Sequence, residues 1–289
     1  MSISRLTRLI AFVIALGASF FTLWKSFQFT HLVDYTYQVE IAYRLFRGEL
    51  PYRDFMLVLT PGTYALMALV MHITGGYVHM GQVVHTMVWS FIGIILVYQI
   101  GQRLTKNQWI TVMLLAPLIF SGFGLYPYPI YDIFATIAVL GSVYGVILYR
   151  EHRQILFHLG TGMLIFVPFL FKQSIGGGYA ALILLGIALE DFFFARQTHT
   201  KRFFGVLMGF SVALALFIGW LQAHGIMAEF YYQTFVFPQV HRDPSTAGYA
   251  TAYRELLFFL SLFPPSKIAL LVCMGTVIIS ISKLMPRIH

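Results

Sequence analysis

The sequence predicts an all-α, polytopic membrane protein with about eight transmembrane helices and an interfacial helical segment between the first two, on three observations. Of 289 residues, 58% are hydrophobic and only 10% charged, against roughly 25% charged in a soluble domain. That scarcity suits a chain solvated by lipid, where a charge at the bilayer centre costs roughly 2.5–3.5 kcal/mol. Apolar runs close to the ~20 residues that cross a bilayer core recur between short charged stretches. The 19 Lys and Arg outnumber the 11 Asp and Glu, and the excess sorts to alternate loops, as the positive-inside rule requires.

The first span runs from Leu6 to Phe27. Arg5 and Arg8 before an apolar run could also open a secretory signal peptide, but the run continues through Phe20, Phe21, Leu23 and Trp24, longer than a signal core, so the segment reads as an uncleaved span. Residues 28–80 then form a long outer loop. Within it, Tyr37 to Arg47 places Val39, Tyr43 and Phe46 on one stripe, which suits a short helix lying in the interface. Glu40 and Arg44 are four apart and can pair, and Gly48 followed by Pro51 ends the helix. The stretch from Pro61 to Ile73, about 13 apolar residues, is short for a span and reads as interfacial or re-entrant. Further spans follow at Val83–Ile100, Trp109–Leu125, Ile130–Tyr149, Leu156–Phe171, Tyr179–Phe194 and Phe203–Leu221; an outer loop, 222–255, precedes the last, Leu256–Ser282.

If Pro61–Ile73 does not cross, Arg5, Arg8, Arg103, Lys106, Arg150, Arg153, Arg196, Lys201, Arg202, Lys283 and Arg287 share one side, the cytoplasm, with only Glu151, Glu190 and Asp191. The outer side carries the remaining eight bases and eight acids. The net +8 is therefore an orientation signal and not a nucleic-acid footprint. Trp24, Trp220, Tyr126 and Tyr128 fall near outer ends and Trp109 and Tyr149 near inner ones, where amphipathic rings prefer the interface. The chain reads as one membrane domain over residues 1–289, without internal repeat or low-complexity tract. Cys273 is the single cysteine, so there is no disulfide framework. His72, His79 and His85 have helix-face spacings that suit packing, and no His pair has metal-site spacing.

Chemistry-bearing residues collect on the outer side. Asp34 stands just after the first span, where it can act as a base or cap the helix that follows. Asp54 can shape a turn or touch a ligand. Asp132, delivered by the Tyr- and Pro-rich loop Gly122–Asp132, can cap the next span. Lys172, in Phe171-Lys172-Gln173-Ser174, is either a phosphate-binding cation or a snorkelling lysine. The Gly176-Gly177-Gly178 triplet permits close backbone approach, to a headgroup or to another helix. It lacks the Gly-Lys-Ser/Thr order of a P-loop. Tyr231, Tyr232, Phe235, His241 and Arg242 can stack on a sugar or form an interfacial aromatic cluster.

Asp34-Tyr-Thr-Tyr37, then Ala42-Tyr-Arg-Leu-Phe-Arg-Gly48-Glu-Leu-Pro51-Tyr52-Arg53-Asp54-Phe55 and Pro61, resembles the first outer loop of the GT-C superfamily of membrane glycosyltransferases. The resemblance is to the branch of protein O-mannosyltransferases, aminoarabinose transferases and lipopolysaccharide-core galacturonosyltransferases. The Asp132-Ile-Phe-Ala135 and Phe171-Lys-Gln-Ser174 segments are similar to family features as well. The motif match covers about thirty residues. It departs from the family in two respects: a single Asp34 stands where members often carry tandem acids, and the chain is shorter than most members.

The resemblance implies transfer of a sugar from a polyprenyl-phosphate donor to a lipid, glycan or protein acceptor at the outer face of the cell (inner) membrane. It implies Asp34 as general base, with inversion at the anomeric carbon. Lys172 and then Arg53 would bind the donor phosphate, and Asp54, Asp132 and Glu40 would support the site or the acceptor. Such donors release a lipid phosphate and not a nucleotide diphosphate, so neither a divalent metal nor a cofactor is expected, and no nucleic-acid partner. The competing expectation is a transporter or flippase of a lipid-linked or small polar substrate. Transporters commonly show repeats and charged, broken helices near the midplane, whereas here ionisable residues gather at span ends.

Overall fold

A computed structural model describes residues 3–28, 33–113, 115, 131–152, 154–191 and 200–241. The expected spans at Leu256–Ser282 and over most of Trp109–Leu125 lie outside the described residues, as do Arg242 and Cys273. The described residues are mostly helical, with a non-helical segment over 47–61 and, among the described residues, no strand beyond an isolated bridge between Pro51 and Phe55. In order they form α1 (Ile3–Gln28), α2 (Val33–Phe46), α3 (Gly62–Ile73), α4 (Val78–Thr105), α5 (Gln108–Met113), α6 (Tyr131–Glu151), α7 (Ile155–Phe171), α8 (Gln173–Leu189), α9 (Thr200–Ala223) and α10 (Met227–Tyr231). Five residues of π-helix, Tyr232–Val236, lead into α11 (Phe237–Val240).

Three of these, Val78–Thr105, Tyr131–Glu151 and Arg202–Ala223, are long and apolar enough to cross a membrane. The 17-residue α7 and α8 stand at the lower limit of spanning length. The apolar stretch after Pro61 is the 12-residue α3. At 1.5 Å per residue it covers about 18 Å, well short of a ~30 Å hydrocarbon core.

Small residues position the helices. On α1, Ala11, Ala15 and Ala18 form a buried stripe against Ile94 and Tyr98 of α4, while Leu9, Phe12, Val13, Leu16 and Phe20 are exposed around it. Between α7 and α9 the backbones nearly touch: a Cβ on Gly162 would stand 2.0 Å from the Val206 carbonyl oxygen, and one on Gly209 2.1 Å from that of Leu159. Glycine here serves close approach, the usual device for packing helices when lipid offers no hydrophobic drive. Across α6 and α7, Ser142 Oγ donates to the Leu164 carbonyl (2.8 Å) and Thr161 Oγ1 to that of Gly145 (2.9 Å).

One end of the bundle gathers the residues assigned to the cytoplasmic side. Arg103 pairs with Glu151 at 3.1 Å, Arg150 with Glu190 at 2.6 Å, and the Tyr149 hydroxyl donates to Asp191 at 2.5 Å. The C-terminal ends of α4, α6 and α8 therefore lie together, with α7 running antiparallel between α6 and α8. The opposite end carries α2, α3, the α7–α8 junction and α10, around a core of Ala42, Tyr52, Leu57, Tyr64, Met67, Met71, Leu221, Ile226 and Phe230.

Four local expectations change. The helix predicted from Tyr37 begins at Val33, so Asp34 sits inside its first turn and not ahead of it. The glycine triplet lies within α8, which starts directly at Gln173. A Cβ on Gly176 would stand 2.1 Å from the Phe169 nitrogen, so this glycine serves the tight α7–α8 crossing, the helix-packing one of the two readings its sequence allows. The first part of the predicted 222–255 loop is helical, through α10, the π-turn and α11.

Candidate functional site

The site is built around the segment joining α2 to α3. Gly48, at φ +85°, ends α2 in a Schellman motif, with Glu49 N–H donating to the Arg44 carbonyl and Gly48 N–H to that of Leu45, both at 3.0 Å. Pro51 then prevents the helix resuming. Asp54 closes the next turn: its carboxylate accepts the Leu50 N–H at 2.8 Å, and its own N–H donates to the Leu50 carbonyl at 2.9 Å. Arg53 donates two hydrogen bonds to the same carboxylate, at 2.9 and 3.1 Å. Those bonds, with the Leu50 N–H, hold Asp54 below the ordinary carboxylate range. Tyr52 adopts the left-handed region, φ +70°, with its ring buried and its hydroxyl donating to the Leu59 carbonyl at 2.7 Å.

Two glutamines fasten this segment to the bundle. Gln233 Nε2 donates to the Tyr52 carbonyl (2.7 Å), and its Oε1 accepts the Leu57 N–H (2.9 Å). Gln173 Nε2 donates to the Val58 carbonyl (3.0 Å) and to that of Thr234 (3.3 Å). The second contact has a cause in the sequence. Pro238 lacks the N–H that would close an α-helical bond to the Thr234 carbonyl, and the π-helix over Tyr232–Val236 leaves that oxygen open to Gln173.

Beside Gln173, Lys172 is a single extended residue between α7 and α8 (φ −154°, ψ 113°). Its ammonium pairs with Asp132 in the first turn of α6 and lies 5.1 Å from the Tyr131 ring centroid. Both partners are partly buried. An ammonium carries three donors, so the pair leaves Lys172 with hydrogen-bonding capacity and fixes its position. Below the pair, Trp89 packs edge-on to Phe171 (5.0 Å), and His85 to Phe134 (4.3 Å).

Next to this pair stands a group of buried polar atoms without hydrogen-bond partners: Thr60 Oγ1, Thr63 Oγ1, Tyr64 OH and Gln173 Oε1. Thr60, Thr63 and Tyr64 are fully buried. They flank the N-terminus of α3, which has no side-chain cap and presents further unused N–H groups. Two contacts bring this segment to the α7–α8 junction: Gly62 abuts the Leu170 carbonyl, and Gln173 holds Val58. Tyr64 also feels the electrostatic influence of Tyr37, Tyr131, Tyr52 and Asp132. Burial first, then these neighbours, push the Tyr64 phenol well above its ordinary value, so it stays a neutral donor at any physiological pH. An unsatisfied buried polar group costs about 1–3 kcal/mol. Several in one place call for an ordered water or a ligand.

Beneath the junction, α7, α8 and α9 enclose an apolar groove of about 330 Å³ lined by Phe166, Phe169, Gly177, Ala181, Phe210 and Leu214. Gly176 and Gly177, one turn from Lys172, form its near end.

Of the residues singled out from the sequence, the structure brings Asp132 and Lys172 into contact. Asp34 occupies the first turn of α2, and its side chain lies outside the described residues. Glu40 pairs with Arg44 as its spacing predicts, at 3.2 Å on the exposed face of α2. Arg53 and Asp54 are exposed and pair with each other; among the described residues neither forms an ion pair with Lys172 or Asp132. Tyr231 and Tyr232 are exposed, and Phe237 stacks on His241 at 4.0 Å. The sequence reading missed Thr60, Thr63, Tyr64 and Gln233. Only the helix-breaking Pro61 and the Pro238 four residues after Thr234 hinted at them. Among the described residues, no three His, Cys, Asp or Glu side chains are grouped to hold a metal ion. No protein-family model, curated protein or solved structure matches the chain.

Proposed function

We propose that the chain is a GT-C-like glycosyltransferase that moves a sugar from a polyprenyl-phosphate donor to an acceptor at the outer face of the membrane. In this reading it has about eight spans, a cytoplasmic N-terminus, and its active site at the end carrying α2, α3 and Lys172. The observation that supports it best is the juxtaposition of three features: a positioned cation, Lys172 on Asp132; unpartnered hydroxyls beside it; and an apolar groove starting one turn away. A lipid-linked sugar phosphate needs a place for an anion, for hydroxyls and for a hydrocarbon chain.

The acceptor oxygen attacks the anomeric carbon as Asp34 takes its proton. The bond from that carbon to the phosphate oxygen breaks, and the polyprenyl phosphate leaves with the electron pair. Lys172 stabilises the charge that grows on the leaving phosphate, an interaction worth more in a partly dry site than in water. Asp132, in the first turn of α6, holds Lys172 in place at the α7–α8 junction. Arg53, the second cation assigned to the donor, stands on the exposed turn with Asp54.

The test is reconstitution in liposomes with a panel of polyprenyl-phosphate sugars and candidate acceptors. Wild type should consume donor and invert the anomeric centre, and Asp34→Asn should lose about 10²–10⁴-fold in rate. Movement of an intact lipid-linked sugar across the bilayer, with no donor consumed by either protein, would establish the transporter reading instead.

A further inference from the structure

Resting on that reading, we propose that the group transferred is an uncharged, hydroxyl-rich sugar, read by Thr60, Thr63, Tyr64 and Gln173, and not an amino sugar or a uronic acid. The chemistry of the unpartnered atoms carries this. Thr60 and Thr63 hydroxyls donate and accept, Tyr64 donates, and Gln173 Oε1 only accepts. A mixed set of this kind matches sugar hydroxyls, each both donor and acceptor. It does not match a phosphate, which offers acceptors alone and would meet the Gln173 oxygen unfavourably.

Charge argues the same way. Among the described residues at this end, Lys172 is paired with Asp132, Arg53 with Asp54, and Arg44 with Glu40 and Glu49, Arg47 and Glu229 are exposed to solvent, and Tyr64 is held neutral by burial. Asp34 is engaged with the acceptor in the proposed reaction. With the donor bound, Lys172 is shared between Asp132 and the phosphate, so a carboxylate or ammonium on the sugar would be desolvated without a counter-charge of its own, which is far more unfavourable than burying a hydroxyl that finds a partner. The four atoms are out of reach of solvent. The segment Leu50–Pro61, which carries Thr60, is held by Gln233 at Tyr52 and Leu57 and by Gln173 at Val58, and in the proposal substrate enters when those three bonds release.

The test uses the full chain in nanodiscs with four probes: unsubstituted undecaprenyl phosphate, and the same lipid phosphate linked to glucose, to galacturonic acid or to aminoarabinose. Affinity and melting temperature are measured for wild type, Thr63→Val and Tyr64→Phe. Wild type should bind the glucose probe more tightly than the bare lipid phosphate, and the two charged-sugar probes no better than it. Each variant should lose roughly tenfold in affinity for the glucose probe, about one hydrogen bond, with binding of the bare lipid phosphate unchanged. Without ligand both variants should melt no lower than wild type, because an apolar isostere removes an unsatisfied group.

Equal or tighter binding of either charged-sugar probe, or no gain of the glucose probe over the bare lipid phosphate, overturns the inference and leaves the transferase reading standing. So does lower melting in both variants with unchanged affinities, since ordered water would then be the partner of these hydroxyls. If no probe, the bare lipid phosphate included, binds wild type, the transferase reading itself falls.

Discussion

Replacing Gln233 tests how the outer segment is held. Its side chain makes two hydrogen bonds to backbone 176 and 181 residues away, accepting from Leu57 N–H at 2.9 Å and donating to the Tyr52 carbonyl at 2.7 Å. The amide's orientation follows from chemistry, because a carbonyl can only accept and an N–H only donate. Gln233→Leu removes both bonds and leaves a partly buried N–H and C=O without partners. At about 1 kcal/mol net per bond, the segment should open more easily by about 2 kcal/mol. The open population then rises roughly thirtyfold. Hydrogen–deuterium exchange of the Leu57 amide in nanodiscs reads that population directly, and the effect should be confined to residues 50–61. Gln233→Glu should rescue only in part, since it restores the acceptor for Leu57 but sets an oxygen against the Tyr52 carbonyl. Leu57 exchange within about threefold of wild type, or acceleration spread evenly over α7 and α9, would refute the reasoning: the glutamine would then not be what holds the segment.

Gly162→Ala should lower thermal stability by about 1–3 kcal/mol or more, because its Cβ would meet the Val206 carbonyl oxygen at 2.0 Å; the same change at Gly177, which has open space around it, should be tolerated, and melting curves in detergent compare the two. Lys172→Met and Asp132→Asn should each destabilise, and a double-mutant cycle should return a coupling of roughly 1 kcal/mol for this partly exposed pair; additive effects would dissolve the pair as a unit. Asp54 is held below its ordinary value by Arg53 and the Leu50 N–H. Its contribution is therefore complete above the usual carboxylate value, near pH 4, and drains away as the pH falls through the depressed one. Melting followed from neutral to acid pH should show an acid-side loss that Asp54→Asn abolishes.

Much of the fold was legible along the chain. The scarcity of charge and the length of the apolar runs marked the helices, because lipid requires both. The Glu40–Arg44 pair, the stop at Gly48 and Pro51, and the short apolar stretch after Pro61 are local, and local spacing reports local structure. Helix starts were less legible. The apolar stripe that marks α2 begins at Val39, whereas its hydrogen bonding begins at Val33, and a stripe reports the buried face and not the terminus.

The sequence by itself determined that this chain is helical and apolar, since composition and periodicity are properties of the chain. Only the tertiary structure decided which polar groups meet. Lys172 and Asp132 are 40 residues apart, and Gln233 and Leu57 are 176 apart. No periodicity relates such positions; the packing of α6, α7, α8 and the π-turn does. Likewise, a threonine or tyrosine looks the same in sequence whether or not its hydroxyl has a partner. That Thr60, Thr63 and Tyr64 lack one depends on every neighbour that surrounds them, which only the fold supplies.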